Sequence, residues 1–350
     1  MSTLLKNVKS VLIIRCGALG DLVCATAVSE ALVKEYGSDI RIDWVCTPGS
    51  SKLLSHDPHV NQIFLLKHKK VPVLFSTQKR AVINHSKQNP YDLMINLETG
   101  KQFFGLAQAV KARHKVGAPF TYPGKSTDGM HIVDYLKMTA ATAISSTALE
   151  KSHPKLYGTP WEEVKKKYSL PDSYLMLNPS NSHNKRNKIN YRAWPESYWS
   201  ELVEKLSSKE TLLITAGPSE APSLSYLQPL SSQFIDLIGK TSIPDLITII
   251  SHAKAIVTTD TGPTHIASAT NTPIFVLMGP TPPSTGPYKT PYNQIKVLSA
   301  NLECSPCYGT AVMKACQVNI CMKKIMPDEV VAAIEEFNAN NAKIPHQKQG

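Results

Sequence analysis

The chain has 350 residues, 42% hydrophobic and 19% charged, with 17 glycines and 25 prolines. That length suits about two domains, and the composition excludes a disordered or collagen-like chain. No apolar run reaches the ~18 residues of a membrane-spanning helix. Residues 1–9 are too polar, and the apolar run 11–14 too short, for a secretory signal, so a cytoplasmic location is expected.

The net charge is +11 and unevenly spread. Residues 1–173 hold 23 basic and 14 acidic side chains, and the remainder 15 and 13. The first half is expected to face something anionic: a phosphorylated substrate, a membrane surface or nucleic acid. A merely solvated basic surface fits the same counts. A nucleic-acid binder has charge alone in its favour, since no aromatic–basic motif is present and aromatics are only 7%.

Val11, Leu12, Ile13 and Ile14 suit a buried parallel strand over 11–15. After the turn 16–21, Leu22, Ala25, Val28, Leu32 and Val33 recur at helical spacing to Tyr36, and Gly37 stops the helix. A second strand over 40–45 completes a strand–loop–helix–strand unit, which implies a parallel sheet covered by helices. Further strands are expected over 62–66 and 93–97. Residues 150–172 read as a linker, with His153-Pro154, Gly158, Pro160 and Pro171. A second series follows: a strand over 174–178, a helix over 195–206 carrying Trp199, Leu202, Val203 and Leu206, a strand over 211–215, a helix over 243–252, and strands over 255–258 and 273–278. A last helix from Met326 carries Val330, Val331, Ile334 and Phe337, before a polar tail. Two such halves imply two doubly wound domains facing each other. The loops 16–21, 179–193, 216–221, 258–265 and 279–288, all after strands, are expected to meet at one cleft.

Three loops can carry chemistry. Gly17-x-x-Gly20-Asp21 is neither a dinucleotide fingerprint nor a P-loop, for it lacks the third glycine and the Gly-Lys-Ser/Thr run. It places Asp21 at a helix mouth, where a carboxylate can take a proton from an attacking hydroxyl or simply cap the helix. Thr258-Thr259-Asp260-Thr261-Gly262-Pro263-Thr264-His265 lies between a strand and a helix start. Its backbone N–H groups can hold a diphosphate, Asp260 can accept sugar hydroxyls and His265 can donate to an oxygen; an ordinary polar turn selects similar residues. Asn178-Pro179-Ser180, followed by Lys185, Arg186, Lys188 and Arg192, offers cations for a leaving diphosphate, or a solvated loop, the reading preferred for Lys185 and Arg186. Cys304, Cys307, Cys316 and Cys321 have spacing that partly suits a structural zinc, with reduced packing thiols as the alternative. No Asp-x-Asp pair is available to hold a metal–diphosphate, so no catalytic metal and no cofactor is expected.

Taken in order, 11–21 with 22–32, Asp260–His265 with 267–269, Phe275-Val276-Leu277-Met278-Gly279-Pro280-Thr281 and Thr285-Gly286-Pro287-Tyr288 resemble the bacterial ADP-heptose:lipopolysaccharide heptosyltransferases, glycosyltransferase family 9. Cys304-Ser305-Pro306-Cys307-Tyr308 with Cys321-Met322 is most similar to the heptosyltransferase II branch. The resemblance spans about residues 8–335. It implies an α/β GT-B fold of two Rossmann-like domains around a central cleft: an acceptor-binding domain over 1–160, a nucleotide-sugar domain over 161–325, and a C-terminal helix and tail over 326–350 packing back toward the N-terminal domain.

The resemblance implies inverting, metal-independent transfer of heptose from ADP-heptose to an inner-core sugar of lipopolysaccharide. The catalytic base then falls on Asp21, beside the loop glycines Gly17 and Gly20. Donor binding falls on Ser180, Lys188, Arg192, Glu220 (ribose), Thr241 (adenine), Asp260, Thr261, Gly262 and His265. Arg192 stands where the family usually has Lys, which exchanges a flexible ammonium for a planar fork. An anionic acceptor at the inner-membrane surface suits the basic first half; Lys67-His68-Lys69-Lys70 and Lys111-Ala112-Arg113-His114-Lys115 are its candidate contacts, or solvated charge. The alternative is a related GT-B transferase or epimerase using another nucleotide sugar.

Overall fold

The structure, a computed structural model, describes residues 5–121, 129–179 and 189–342. The chain divides into two compact units, residues 1–161 with 243–248, and residues 162–242 with 249–350. Each unit is built on one all-parallel sheet.

The first sheet holds β1 (Ser10–Ile14), β2 (Arg41–Cys46), β3 (Val60–Leu65), β4 (Tyr91–Asn96) and β5 (Ala112–Gly117), in the order β3-β2-β1-β4-β5. Val11 to Ile14 in the central strand are fully buried, as a strand covered on both faces requires. The helix Leu19–Tyr36 is buried on most of its faces, from Leu22 through Ser29 and again at Ala31 and Leu32. It ends at Gly37, which takes φ +94° and sends its N–H to Val33 O at 2.9 Å.

The second sheet holds β6 (Leu175–Asn178), β7 (Leu212–Ala216), β8 (Ile235–Ile238), β9 (Ala255–Thr259), β10 (Ile274–Leu277) and β11 (Ile295–Leu298), in the order β11-β10-β9-β6-β7-β8. Its strands share a core with Trp194, Trp199, Leu202 and Leu206 of the adjoining helical layer. Trp194 meets Trp199 edge to face, with ring centroids 4.9 Å apart.

The C-terminal helix, Pro327–Ala342, belongs to the second unit. Its stripe of Val330, Ala333, Ile334 and Phe337 lies in the core of the second unit, and Phe337 meets Phe275 of β10 edge to face at 5.6 Å. Lys205 and Lys209, at the end of the helix Glu196–Leu206 and just beyond it, pair with Asp328 and Glu335 of the C-terminal helix, each at 2.7 Å. An apolar face at this spacing needs a partner, and β10 with that helix supplies it.

Residues 112–115 of the cationic run lie in the edge strand β5, with Arg113 and His114 exposed. Arg113 pairs with Asp92 at 3.3 Å, and Lys115 Nζ donates to Gln108 O at 2.7 Å, beside the end of the helix Phe104–Ala109. Among the described residues, no helix is long and apolar enough to cross a membrane.

Gly117, the last residue of β5, has φ +85°, and a Cβ there would overlap the backbone carbonyl of Asn96. Gly117→Ala is therefore expected to destabilise the first unit by about 2 kcal/mol or more, from left-handed strain and a clash with rigid backbone. Urea unfolding followed by circular dichroism checks this; an unchanged midpoint contradicts it.

Candidate active site

In an open parallel sheet, loops leaving the strands at their carboxyl ends part company where the strand order reverses, and ligands bind in that crevice. The reversal falls between β1 and β4 in the first unit and between β6 and β9 in the second.

In the first unit, Asp21 lies in the first turn of the helix Leu19–Tyr36. Its Oδ2 accepts the Ala18 N–H at 2.8 Å, so it does cap the helix. Its Oδ1 pairs with Arg15 Nη2 at 2.7 Å, and the side chain still keeps 41% of its surface exposed. Asp21 thus caps and presents a carboxylate at once. Gly17 permits this fold-back, since a Cβ there would overlap the Asp21 carboxylate. Gly20 lies in the same first turn.

Two residues of this loop pair escaped the sequence reading. Arg15 also donates from Nη1 to Leu97 O at 3.2 Å, which ties the loop after β1 to the loop after β4. Glu98 Oε1 accepts the Cys16 N–H at 2.6 Å across the same gap. Their only sequence signal is position: each is a charged residue just past a buried apolar run. Cys16, Cys24 and Cys46 are buried, and burial pushes the Cys46 thiol up to about 12.

In the second unit, Asp260 and Thr261 connect β9 to the helix Gly262–Ala269. Thr261 is its N-cap, and Thr264 Oγ1 accepts the Thr261 N–H at 3.4 Å while donating to Thr259 O at 2.5 Å. At the start of this helix Pro263 has no N–H and the Thr264 N–H is met by the Thr261 side chain, which leaves the Gly262 N–H without an intrahelical partner. Asp260 is 4% exposed. Arg192 reaches it from the loop after β6: Nη1 donates to Asp260 O at 2.9 Å and lies 3.4 Å from Oδ2. His265 Nε2 stands 3.9 Å from Oδ1. Asp260 Oδ1 has no hydrogen-bond partner among the described residues. A buried carboxylate oxygen left in that state is costly, and a donor arriving with a ligand removes the cost.

Asp260, Thr261, Gly262, His265 and Arg192 therefore come together at the reversal point. Glu220 follows β7 and Thr241 follows β8, one and two strands further along the same edge. Glu220 Oε2 accepts the Gly217 N–H at 3.1 Å. Ser180 and Lys188 lie outside the described residues.

Cys304 is exposed, Cys316 half-buried, and Cys307 and Cys321 buried. Burial, chiefly, pushes the Cys307 and Cys321 thiols up. Among the described residues, no group of three or more His, Cys, Asp or Glu side chains is arranged to hold a metal ion. The four cysteines form no disulfide.

With this geometry in hand, the comparisons with known proteins are decisive. Residues 80–316 match glycosyltransferase family 9 (heptosyltransferase). The chain belongs to that family. It is 23% identical over 287 residues to lipopolysaccharide heptosyltransferase 3 of Escherichia coli, covering 75% of this chain and 81% of the relative. The structure of E. coli ADP-heptose lps heptosyltransferase II superposes with a TM-score of 0.70 at 19% identity, covering 94% of this chain and 98% of that one. E. coli heptosyltransferase WaaC with ADP gives 0.66 at 18% identity, covering 93% and 99%. These likenesses establish the two-sheet GT-B fold.

Gly17→Ala is expected to push the Asp21 carboxylate off the Ala18 N–H and destabilise the first unit by about 1 kcal/mol, the typical cost of a lost helix cap. A thermal melt checks this, and an unchanged melting temperature would show that Asp21 need not fold back.

Proposed function

We propose that this enzyme transfers heptose from ADP-heptose to an inner-core sugar of lipopolysaccharide, in an inverting, metal-independent displacement. One observation carries the donor assignment: Asp260, buried, with one carboxylate oxygen beside Arg192 and the other, among the described residues, without a hydrogen-bond donor. A sugar hydroxyl is a fitting donor to that oxygen, and the diphosphate next to it fits Arg192 and the Gly262 N–H at the start of the helix Gly262–Ala269. The relative named for lipopolysaccharide heptose transfer and the fold shared with an ADP-bound heptosyltransferase support the choice of sugar, acceptor and nucleotide.

In this reading Asp21 takes the proton from the acceptor hydroxyl. The acceptor oxygen attacks the anomeric carbon on the face opposite the nucleotide, the bond from that carbon to the diphosphate oxygen breaks, and ADP leaves with the electron pair. A single displacement inverts the anomeric centre. Arg15 holds the Asp21 carboxylate by one oxygen at 2.7 Å, which fixes its orientation. Arg192, with Lys188 earlier in the same loop, neutralises charge on the departing diphosphate. His265 donates to a phosphate or sugar oxygen. Glu220 accepts ribose hydroxyls, Thr241 lies by the adenine, and Ser180 joins the donor set by its place in the sequence. Protein cations and backbone N–H groups thereby take the role that an Asp-x-Asp metal site has in other transferases.

The acceptor is amphiphilic and anionic, and the first unit has a surface suited to the inner-membrane face on which it would sit. Leu74 and Phe75, 70% and 73% exposed, follow Lys67-His68-Lys69-Lys70. Buried Lys79 ties this stretch down, its Nζ donating to Lys69 O at 2.9 Å and Gln102 O at 2.8 Å. Exposed apolar side chains beside cations favour an anionic interface.

Asp21→Asn is expected to lower kcat by about 10²–10⁴-fold, the span of general-base catalysis, while ADP binding by calorimetry stays unchanged. Near wild-type turnover of a folded Asn variant removes Asp21 as the base. In a second assay, ADP-heptose is offered with heptose-free and mono-heptosylated acceptors. Turnover on one of them identifies the acceptor, whereas turnover with UDP-sugars in preference to ADP-heptose defeats the donor assignment.

A further inference from the structure

We infer that Tyr308 and Asn319, on the cysteine-bearing segment after β11, are positioning residues that hold the Arg192 guanidinium ready for the donor diphosphate. The inference rests on the donor reading above for its ligand; its geometry is independent of that reading.

Arginine carries several freely rotating bonds, so an arginine held in place before binding loses less entropy on meeting an anion. Asp260 alone does little to hold Arg192, since among the described residues only its Nη1 is engaged there. The remaining constraint comes from the segment after β11. The Tyr308 ring lies 5.5 Å from Arg192 Cζ, over the guanidinium. Tyr308 is itself anchored, for the N–H groups of Cys307 and Tyr308 both donate to Pro280 O at 2.9 Å. The ring covers the fork, while Nη2 and Nε have no hydrogen-bond partner among the described residues and can meet phosphate oxygens.

Asn319 fixes the backbone that carries Arg192. Residues 190–193 form a turn closed by Ala193 N–H to Asn190 O at 3.1 Å, with Arg192 inside it. Asn319 Nδ2 donates to both Asn190 O and Ala193 O, each at 3.2 Å, and so grips the turn by its two end carbonyls. Cys321 Sγ donates to Asn319 Oδ1 at 3.4 Å, which sets the amide orientation that this grip needs. Asn319 is 8% exposed and sits in the left-handed region, φ 50° and ψ 45°, where asparagine is among the best-tolerated side chains. The next residue of the loop is pinned as well: Trp194 Nε1 donates to Ile325 O at 2.9 Å. A segment that adds no strand to the sheet thus acts as a clamp on the arginine loop.

The test is calorimetric binding of ADP and of adenosine to the full chain. Adenosine lacks the phosphates, so the ratio of the two affinities isolates the diphosphate contact. Tyr308→Ala, at a half-exposed position where folding is not at risk, should raise the ADP Kd about threefold, the scale of an exposed cation–π contact. Tyr308→Phe keeps the ring and should restore wild-type binding. Asn319→Gly tolerates the left-handed backbone while deleting the amide, and should raise the ADP Kd about tenfold, as expected for two lost hydrogen bonds. Adenosine affinity should not change in any variant, and donor KM should rise more than kcat falls. If wild type binds ADP and both Tyr308→Ala and Asn319→Gly keep its ADP-to-adenosine ratio, the clamp is refuted while the donor reading stands. If wild type binds neither compound, the donor reading falls and takes the clamp with it.

Discussion

Each unit places an arginine–aspartate pair where its strand order reverses. Arg15 meets Asp21 at 2.7 Å in the first, and Arg192 meets Asp260 at 3.4 Å in the second. The fold makes this pairing necessary. In a parallel sheet the strands end together, the apolar side chains stay in the layers, and the loops that leave the central strands carry whatever charge the site needs. Charges gathered that closely require partners. The two pairs differ in what they leave over. Asp21 has both oxygens engaged yet remains open to solvent, so it suits proton transfer at a surface. Asp260 is enclosed and, among the described residues, has one oxygen without a hydrogen-bond partner, so it suits a hydroxyl that arrives with a ligand.

The surroundings reinforce the difference. Asp21 is held by its own loop: Gly17 clears the space, the Ala18 N–H takes one oxygen and Arg15 takes the other. Asp260 is held from another loop, through Arg192, and that loop is braced from a distant part of the chain by Asn319 and Trp194. A long-range brace is the more demanding arrangement, because each contact must be specified by residues more than a hundred positions apart.

Much of this was legible in the sequence. Central strands buried on both faces are unbroken apolar runs, so 11–15, 93–97, 174–178, 211–215 and 255–258 stand out without help. The donor loop was legible because turn residues crowd between a strand and a helix. Of the edge strands only β3, expected over 62–66, was. Ala112–Gly117 carries Arg113, His114 and Lys115, and its polarity masks it as a solvated run; Ile295–Leu298 is short and half polar. The helix Thr77–Gln88 was missed for the same reason, since only Lys79, Val82, Ile83 and Ser86 are buried. Asp21 could be found from its loop, but Arg15 and Glu98 gain meaning only once β1 lies beside β4. Asn319 had no local signal at all: it is one asparagine in an irregular stretch, and its partners are set by tertiary folding. The C-terminal helix was recognised and its apolar stripe identified, but a stripe states only that a partner exists, and β10 with the helix Glu196–Leu206 is that partner.

The division of the chain has a consequence for its evolution. The first unit claims residues 243–248 from far downstream, and there Thr159 Oγ1 donates to Asp245 Oδ1 at 2.7 Å. A gene break at the end of the first block would therefore strand part of that unit's packing on the other piece. Shuffling of halves between relatives, an easy route to new donor and acceptor combinations when modules are contiguous, is penalised here unless the borrowed helical turn travels along.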